Sequence, residues 1–200
     1  MQKGLLFVVS GPSGCGKGTI LNEVKKEIPF YYSVSATTRG MREGEVDGVN
    51  YHFLTKEEFE KMISEDGMLE YAKFCENYYG TPRKAVEDMR NLGTDALLEI
   101  EVLGASQVRE KCPDAISIFI MPPSIKELER RLRKRATEEE SVIQKRLAQA
   151  EHEIPCAINY DYIVINGELE KAIEDVKSII RTEHLKAVDK QKIVSEVLEK

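Results

Sequence analysis

Residues 5–19 read LLFVVSGPSGCGKGT, an apolar run from Leu5 to Val9 that leads into the glycine-rich stretch Gly11, Pro12, Ser13, Gly14, Cys15, Gly16, Lys17, Gly18 and Thr19. A short apolar run closed by glycine predicts a strand, and a turn built on Gly11, Gly14 and Gly16 lets the backbone aim successive N–H groups at phosphate oxygens. The helix expected from Lys17 adds its positive dipole end, and Lys17 itself supplies a point charge for the β and γ phosphates. The stretch therefore predicts nucleoside triphosphate binding. The strict pattern G-x-x-x-x-G-K-[ST] places a hydroxyl at position 18, where this chain has Gly18, with Thr19 one step later. That departure concerns a metal ion more than the phosphates, and no side chain is assigned as a direct metal ligand.

The chain has 200 residues, 42% of them hydrophobic, enough for one α/β domain with inserted lobes but not for a second full domain. A formal charge of -6 argues against broad nucleic-acid binding while leaving room for local arginine clusters that hold small anions. Cys15, Cys75, Cys112 and Cys156 are dispersed without a C-x-x-C pair, and the three histidines share no metal-ligand spacing with them. Reduced thiols in a cytoplasmic protein follow, with Cys15 filling a small loop position rather than sensing redox state. No apolar run is long enough for a signal peptide or a membrane span, so a soluble, unprocessed chain is expected.

Short apolar strands at Leu5–Ser10, Ala96–Ile100, Ala115–Met121 and Tyr162–Ile165 alternate with helical stretches, the first helix running from Lys17 to about Glu27. This alternation predicts a three-layer α/β fold with a central parallel sheet, its ligands lying beyond the carboxyl ends of the strands. Between Thr37 and Pro82 the pattern changes to short polar-aromatic segments around one helix, opened by a Thr55/Glu58 capping box, and predicts an inserted mixed α+β lobe. A helical hairpin from Ser124 to about Pro155, with a second box at Thr137/Glu140, predicts a lid. The expected division is a core of residues 1–36, 83–125 and 156–200, a lobe of 37–82 and a lid of 126–155. Val188 to Lys200 reads as an amphipathic helix packed at the periphery.

The segment TTRGMREGEVDGVNYHFL from Thr37 to Leu54 is the most specific signature after the phosphate loop. Its spacing of Arg39, Arg42, Glu45, Gly48, Tyr51 and Phe53 resembles the guanylate kinase family. The resemblance extends through YYGTP at Tyr78 to Pro82, the ALLEIE strand, SIFIMPPS, RRLRKRATEEESVIQKRLAQA and YDYIVIN, nearly the whole chain. Two guanidinium groups and phenols on one spot make a monophosphate clamp, here Arg39, Arg42, Tyr51 and Tyr79; taken singly, each would read as a solvated charge or a packing ring. Guanine carries two adjacent donors, N1–H and the N2 amine, that adenine lacks, and an acceptor-only carboxylate at Glu70 suits them. By resemblance Ser35 and Thr81 lie near O6 and N7, Glu101 lies near the amine, and Glu99 joins the GMP set. The family usually ends this strand acidic-Ile-Asp with glutamine two residues on, whereas this chain has Glu99, Glu101 and Leu103.

What the resemblance implies is transfer of the γ-phosphoryl group of ATP to GMP, and to dGMP, within purine nucleotide metabolism. Mg²⁺ would accompany ATP, with Thr19, Glu99 and Glu101 acting mostly through its waters. Lys17, Arg131, Arg135 and Arg146 would neutralise the triphosphate, and Asn166 is similar to the family's adenine-side contact, although an asparagine ending a strand also forms turns. Lys134 and Ala136 replace the usual glycines beside the middle lid arginine. Closure of lobe and lid over both nucleotides is expected, in a monomer or homodimer with no nucleic-acid or membrane partner. A kinase for another small phosphorylated acceptor, a phosphopeptide-binding module on the same scaffold, and a nucleotide-regulated switch stay open from residues alone.

Overall fold

The computed structural model describes residues 3–74, 76–134, 139–186 and Val197. Along the chain run β1 (Leu6–Ser10), α1 (Lys17–Val24), β2 (Tyr31–Tyr32), β3 (Ala36–Thr37), β4 (His52–Phe53), α2 (Lys56–Ser64), β5 (Met68–Phe74) and β6 (Asn77–Pro82). There follow α3 (Arg83–Asn91), β7 (Ala96–Glu99), α4 (Val102–Lys111), β8 (Ile116–Met121), α5 (Ile125–Lys134), α6 (Glu140–Glu153), a 3-10 turn (Ile154–Asn159), β9 (Tyr162–Ile165) and α7 (Leu169–Glu183).

All five residues of β1 are buried because the strand is covered on both faces, as parallel strands between helices must be. Phe7 and Val9 pack on one side with Ile20, Leu21 and Val24 of α1 and Ala172, Val176 and Ile180 of α7. Leu6 and Val8 point the other way, into a cluster with Val86 of α3 and Ala105 and Val108 of α4. The parallel sheet has the order β2-β7-β1-β8-β9, so β1 lies centrally with its connections leaving to both sides. That reversal of strand order opens a crevice beyond the carboxyl ends of β1 and β7, where a doubly wound sheet collects its ligands.

A second, mixed sheet of order β4-β3-β6-β5 forms the lobe, and its own core is small: Ala36, Phe59 and Met68. Helix α2 begins where the sequence predicts, with the Glu58 N–H donating to Thr55 Oγ1 at 3.2 Å and the Thr55 N–H donating to Glu58 Oε2 at 2.8 Å. Such a cap contributes about 1 kcal/mol. The hairpin of α5 and α6 is zipped by Leu128, Leu132, Ile143, Leu147 and Ala150, which fall at helical spacing on the facing sides.

Two expectations change. Helix α1 stops at Val24 rather than near Glu27, because the Lys26 and Glu27 N–H groups bond three residues back in a tightened turn and Pro29 disfavours helical backbone at Ile28. Helix α6 has Glu139 as its N-cap, without a side-chain cap bond; Thr137 of the expected box lies outside the described residues. The expected terminal helix also lies outside them, apart from Val197.

Candidate nucleotide site

Immediately beyond β1 the chain turns through Gly11 at φ +140°, where a Cβ would stand 2.2 Å from the Ile120 carbonyl oxygen. The loop ends at Gly16, the N-cap of α1, in left-handed backbone at φ +97°. Both positions require glycine, for backbone conformation and for space. Because Gly16 brings no capping side chain, the first-turn N–H groups of α1 remain to serve an anion. The Lys17 ammonium arches back over the loop, donating to the Gly11 carbonyl at 2.6 Å and the Pro12 carbonyl at 3.2 Å. A cavity of about 350 Å³ is lined by Ser13, Lys17, Thr19 and Glu99.

The Cys15 thiol points into the core and is fully buried, and burial pushes its pKa up, which leaves it inert. The Cys15 carbonyl faces the other way and is the anchor of the loop. Asn166, 5% exposed, donates to it from Nδ2 at 2.7 Å, while Arg131 Nη2 donates to the Asn166 carbonyl at 2.9 Å. A Cβ at Gly16 would stand 2.4 Å from that same Nδ2, so loop and amide fit only with glycine there. Asn166, expected beside the adenine, thus has its side-chain amide engaged beneath the phosphate loop. From the hairpin, Arg131 also pairs with Glu127 at 2.8 Å, and Arg146 donates to Ser13 Oγ at 3.0 Å. A second cavity of about 350 Å³ lies between Arg131, Lys134, Asn166 and Thr19. Arg135 and Ala136 lie outside the described residues.

On the lobe, Arg39 forms a two-pronged pair with Glu45, at 2.9 Å from Nη1 to Oε2 and 2.8 Å from Nη2 to Oε1. Its guanidinium carbon lies 5.5 Å from the Tyr51 ring centre and 5.6 Å from that of Phe53, and the Tyr51 and Tyr79 rings meet edge to face at 6.2 Å. Glu45 also accepts the Arg42 N–H at 2.8 Å. These bonds, the Arg39 one foremost, hold the Glu45 carboxyl at a pKa of about 2. Arg39, Tyr51 and Tyr79 are therefore brought together as expected, and the backbone of the exposed Arg42 is tied to the same carboxylate. Glu45 is the organiser that sequence reasoning named without a role; its position three after Arg42 and six after Arg39 was the available signal.

Glu70, 6% exposed, accepts the Thr81 hydroxyl at 2.7 Å across the β5–β6 pair. Burial raises its pKa, opposed by the Thr81 bond and reinforced by the charge of Glu101, which is exposed at the N-cap of α4. Ser35 is half-buried just before β3, and its carbonyl accepts the His52 N–H at 2.9 Å. Glu99 stands apart from this group. The Tyr32 phenol donates to it and turns it toward the phosphate loop, with its carboxylate oxygens 3.6–3.7 Å from where a Gly18 Cβ would be. Tyr32 is a residue that sequence reasoning missed, since a two-residue strand carries no pattern. Among the described residues no three His, Cys, Asp or Glu side chains converge on a metal site. The hard oxygens of Thr19 and Glu99 suit Mg²⁺ that keeps most of its waters and phosphate ligands.

No helix among the described residues is long and apolar enough to cross a membrane. A family model for guanylate kinase matches residues 3–183. The guanylate kinase of Lactiplantibacillus plantarum is 54% identical over 184 residues, 91% of this chain and 89% of its own. That of Latilactobacillus sakei is 52% identical over 187 residues, 92% of each chain. The crystal structure of guanylate kinase from Anaplasma phagocytophilum superposes with a TM-score of 0.73 at 35% identity, covering 93% of this chain and 89% of that one. A phosphate loop, an arginine–tyrosine clamp and a buried carboxylate slot thus occur in a chain with close relatives over almost its full length, and the chain belongs to the guanylate kinase family.

Proposed function

We propose that the chain passes the γ-phosphoryl group of ATP in line to a phosphate oxygen of GMP, and of dGMP, yielding ADP and GDP. The observation that carries this reading is the buried Glu70 carboxylate, an acceptor-only group with its Thr81 partner, on the same lobe as the Arg39, Tyr51 and Tyr79 clamp. Guanine satisfies such a slot with N1–H and the N2 amine, whereas adenine would set a lone pair against the carboxylate. Leaving buried polar groups unpaired can discriminate by about 10⁴.

Positions 99 and 101, two apart at the end of β7, divide the site: Glu99 serves the phosphate-loop side and Glu101 the base side. Lys17 holds the β and γ phosphates and stays with the transferring group; Arg131 and Arg146 neutralise it from the lid. Arg39, Arg42, Tyr51 and Tyr79 fix the attacking phosphate, so the reacting oxygens meet with little freedom left to lose. Mg²⁺ arriving with ATP supplies further charge neutralisation, with Thr19 and Glu99 the groups that would hold its waters. Lobe and lid close to exclude water, and the protein works in the cytoplasm.

The test is ADP formation by the purified protein with Mg-ATP and, separately, GMP, dGMP, AMP, UMP and CMP. Turnover confined to the guanine nucleotides is expected. Preference for another base, or no turnover in folded protein that binds ATP, defeats the reading.

A further inference from the structure

Strand β5, which carries Glu70, is the outer strand of the small sheet, and α4 of the core covers its free edge. Gln107 closes that edge as a neighbouring strand would. Its Oε1 accepts the Tyr71 N–H at 3.1 Å, and its Nε2 donates to the Tyr71 carbonyl at 2.9 Å. One turn further along α4, Lys111 Nζ donates to the Met68 carbonyl at 3.0 Å. Two side chains of a core helix thus hold the strand backbone on either side of Glu70.

Residue 104 lies on the same helical face, three positions before Gln107, and is glycine. Its backbone is ordinary right-handed helix, so conformation does not call for glycine, and alanine is the better helix former at such a position. Space does. A Cβ at 104 would stand 2.6 Å from Glu70 Oε2 and 3.0 Å from its Cδ. The carboxylate therefore occupies the volume that any other residue would fill, with Thr81 fixing its other oxygen. Because the obstructing atoms are the end of a flexible side chain, adding a methyl group displaces the carboxylate rather than the helix.

We propose that Gly104 and Gln107 are positioning residues for guanine recognition: the missing side chain at 104 sets where the Glu70 carboxylate stands, and the Gln107 amide sets the height of the strand that carries it. The proposal rests on reading Glu70 as the acceptor for guanine. Neither residue touches the nucleotide, and both act through Glu70.

Steady-state kinetics and thermal melting of Gly104→Ala, Gln107→Leu, Glu70→Gln and the Gly104→Ala/Glu70→Gln double variant test it. Gly104→Ala is expected to raise KM for GMP by about tenfold or more, since a displacement near 1 Å is costly, while KM for ATP stays within about twofold and the melting temperature is not lowered. Gln107→Leu gives the same split with a smaller rise, and the double variant loses no more than Glu70→Gln alone. If Glu70→Gln impairs GMP use but KM for GMP in Gly104→Ala stays within about twofold of the parent, the positioning role is wrong and the slot survives. A parallel rise in both KM values means general loosening and also overturns it. Should Gly104→Ala not fold, an unchanged KM for GMP in Gln107→Leu overturns it instead. Unimpaired GMP use in Glu70→Gln removes the base slot and the proposal together.

Discussion

The two halves of the site hold their cations differently. Lys17, on the phosphate loop, is held by the carbonyls of Gly11 and Pro12. Arg39, on the lobe, is held by the carboxylate of Glu45 through two parallel bonds. A carbonyl orients an ammonium by its dipole and leaves the formal charge uncancelled, as a triphosphate requires. A carboxylate cancels the charge but fixes the guanidinium plane, here also stacked near Tyr51 and Phe53. The donor half is thus built for field strength and the acceptor half for geometry. Arg131 is intermediate, shared between Glu127 and the carbonyls of Cys15 and Asn166.

The comparison predicts unequal losses. Lys17→Ala removes the loop's charge without touching a core contact, so kcat is expected to fall by about a hundredfold or more in a protein that melts normally. Near-normal turnover in that variant would break the account of the donor half. Arg39→Lys keeps the charge and discards the fork. If geometry is what the acceptor half supplies, KM for GMP rises about ten- to a hundredfold, the worth of a charge-assisted hydrogen bond, while KM for ATP is unmoved. Lysine substituting freely at 39 would show that charge alone suffices there, and the contrast would collapse.

How much of this could be read from the chain depends on whether the information was local. The strand, loop and helix around Lys17 were legible because glycine, apolar run and lysine are neighbours in sequence. The Thr55/Glu58 box was legible for the same reason, its two bonds spanning three residues. Glu45 and Arg39 are six apart, close enough to be named together, but their bidentate pairing depends on how the Gly40–Gly44 loop folds. The contacts that were not legible join distant segments: Tyr32 to Glu99, Asn166 to Cys15 and Gln107 to Tyr71. Periodicity reports which face of an element is buried, not which polar group on another element waits there. Asn166 could be read from its position only as a ligand contact or a turn former; its amide bond to the Cys15 carbonyl joins segments far apart in sequence, while the residue still lines the cavity beside the loop.

Within the acceptor half the two carboxylates diverge, which makes pH the finest probe. Glu45 is held at a pKa of about 2 by Arg39 and the Arg42 N–H, so the phosphate clamp stays intact on mild acidification. Glu70 is shifted the opposite way, above the ordinary carboxylate value, chiefly by burial. As pH falls through that raised value, Glu70 takes up a proton and presents a donor to a base that itself offers donors. KM for GMP should then rise by about tenfold per pH unit below the Glu70 pKa, while KM for ATP lacks this limb. Stability moves the other way for this group: a raised folded pKa means that the ionised carboxylate destabilises the fold above its unfolded pKa, and protonation relieves that. Glu70→Gln separates this limb from the second ionisation of the GMP phosphate, near 6, because only the phosphate limb survives in the variant. It should also melt no lower than the parent at neutral pH, since an amide oxygen can still accept the Thr81 hydroxyl. An acid limb identical in parent and variant would transfer the pH dependence to the phosphate and leave the acceptor half with one titrating partner, the substrate itself.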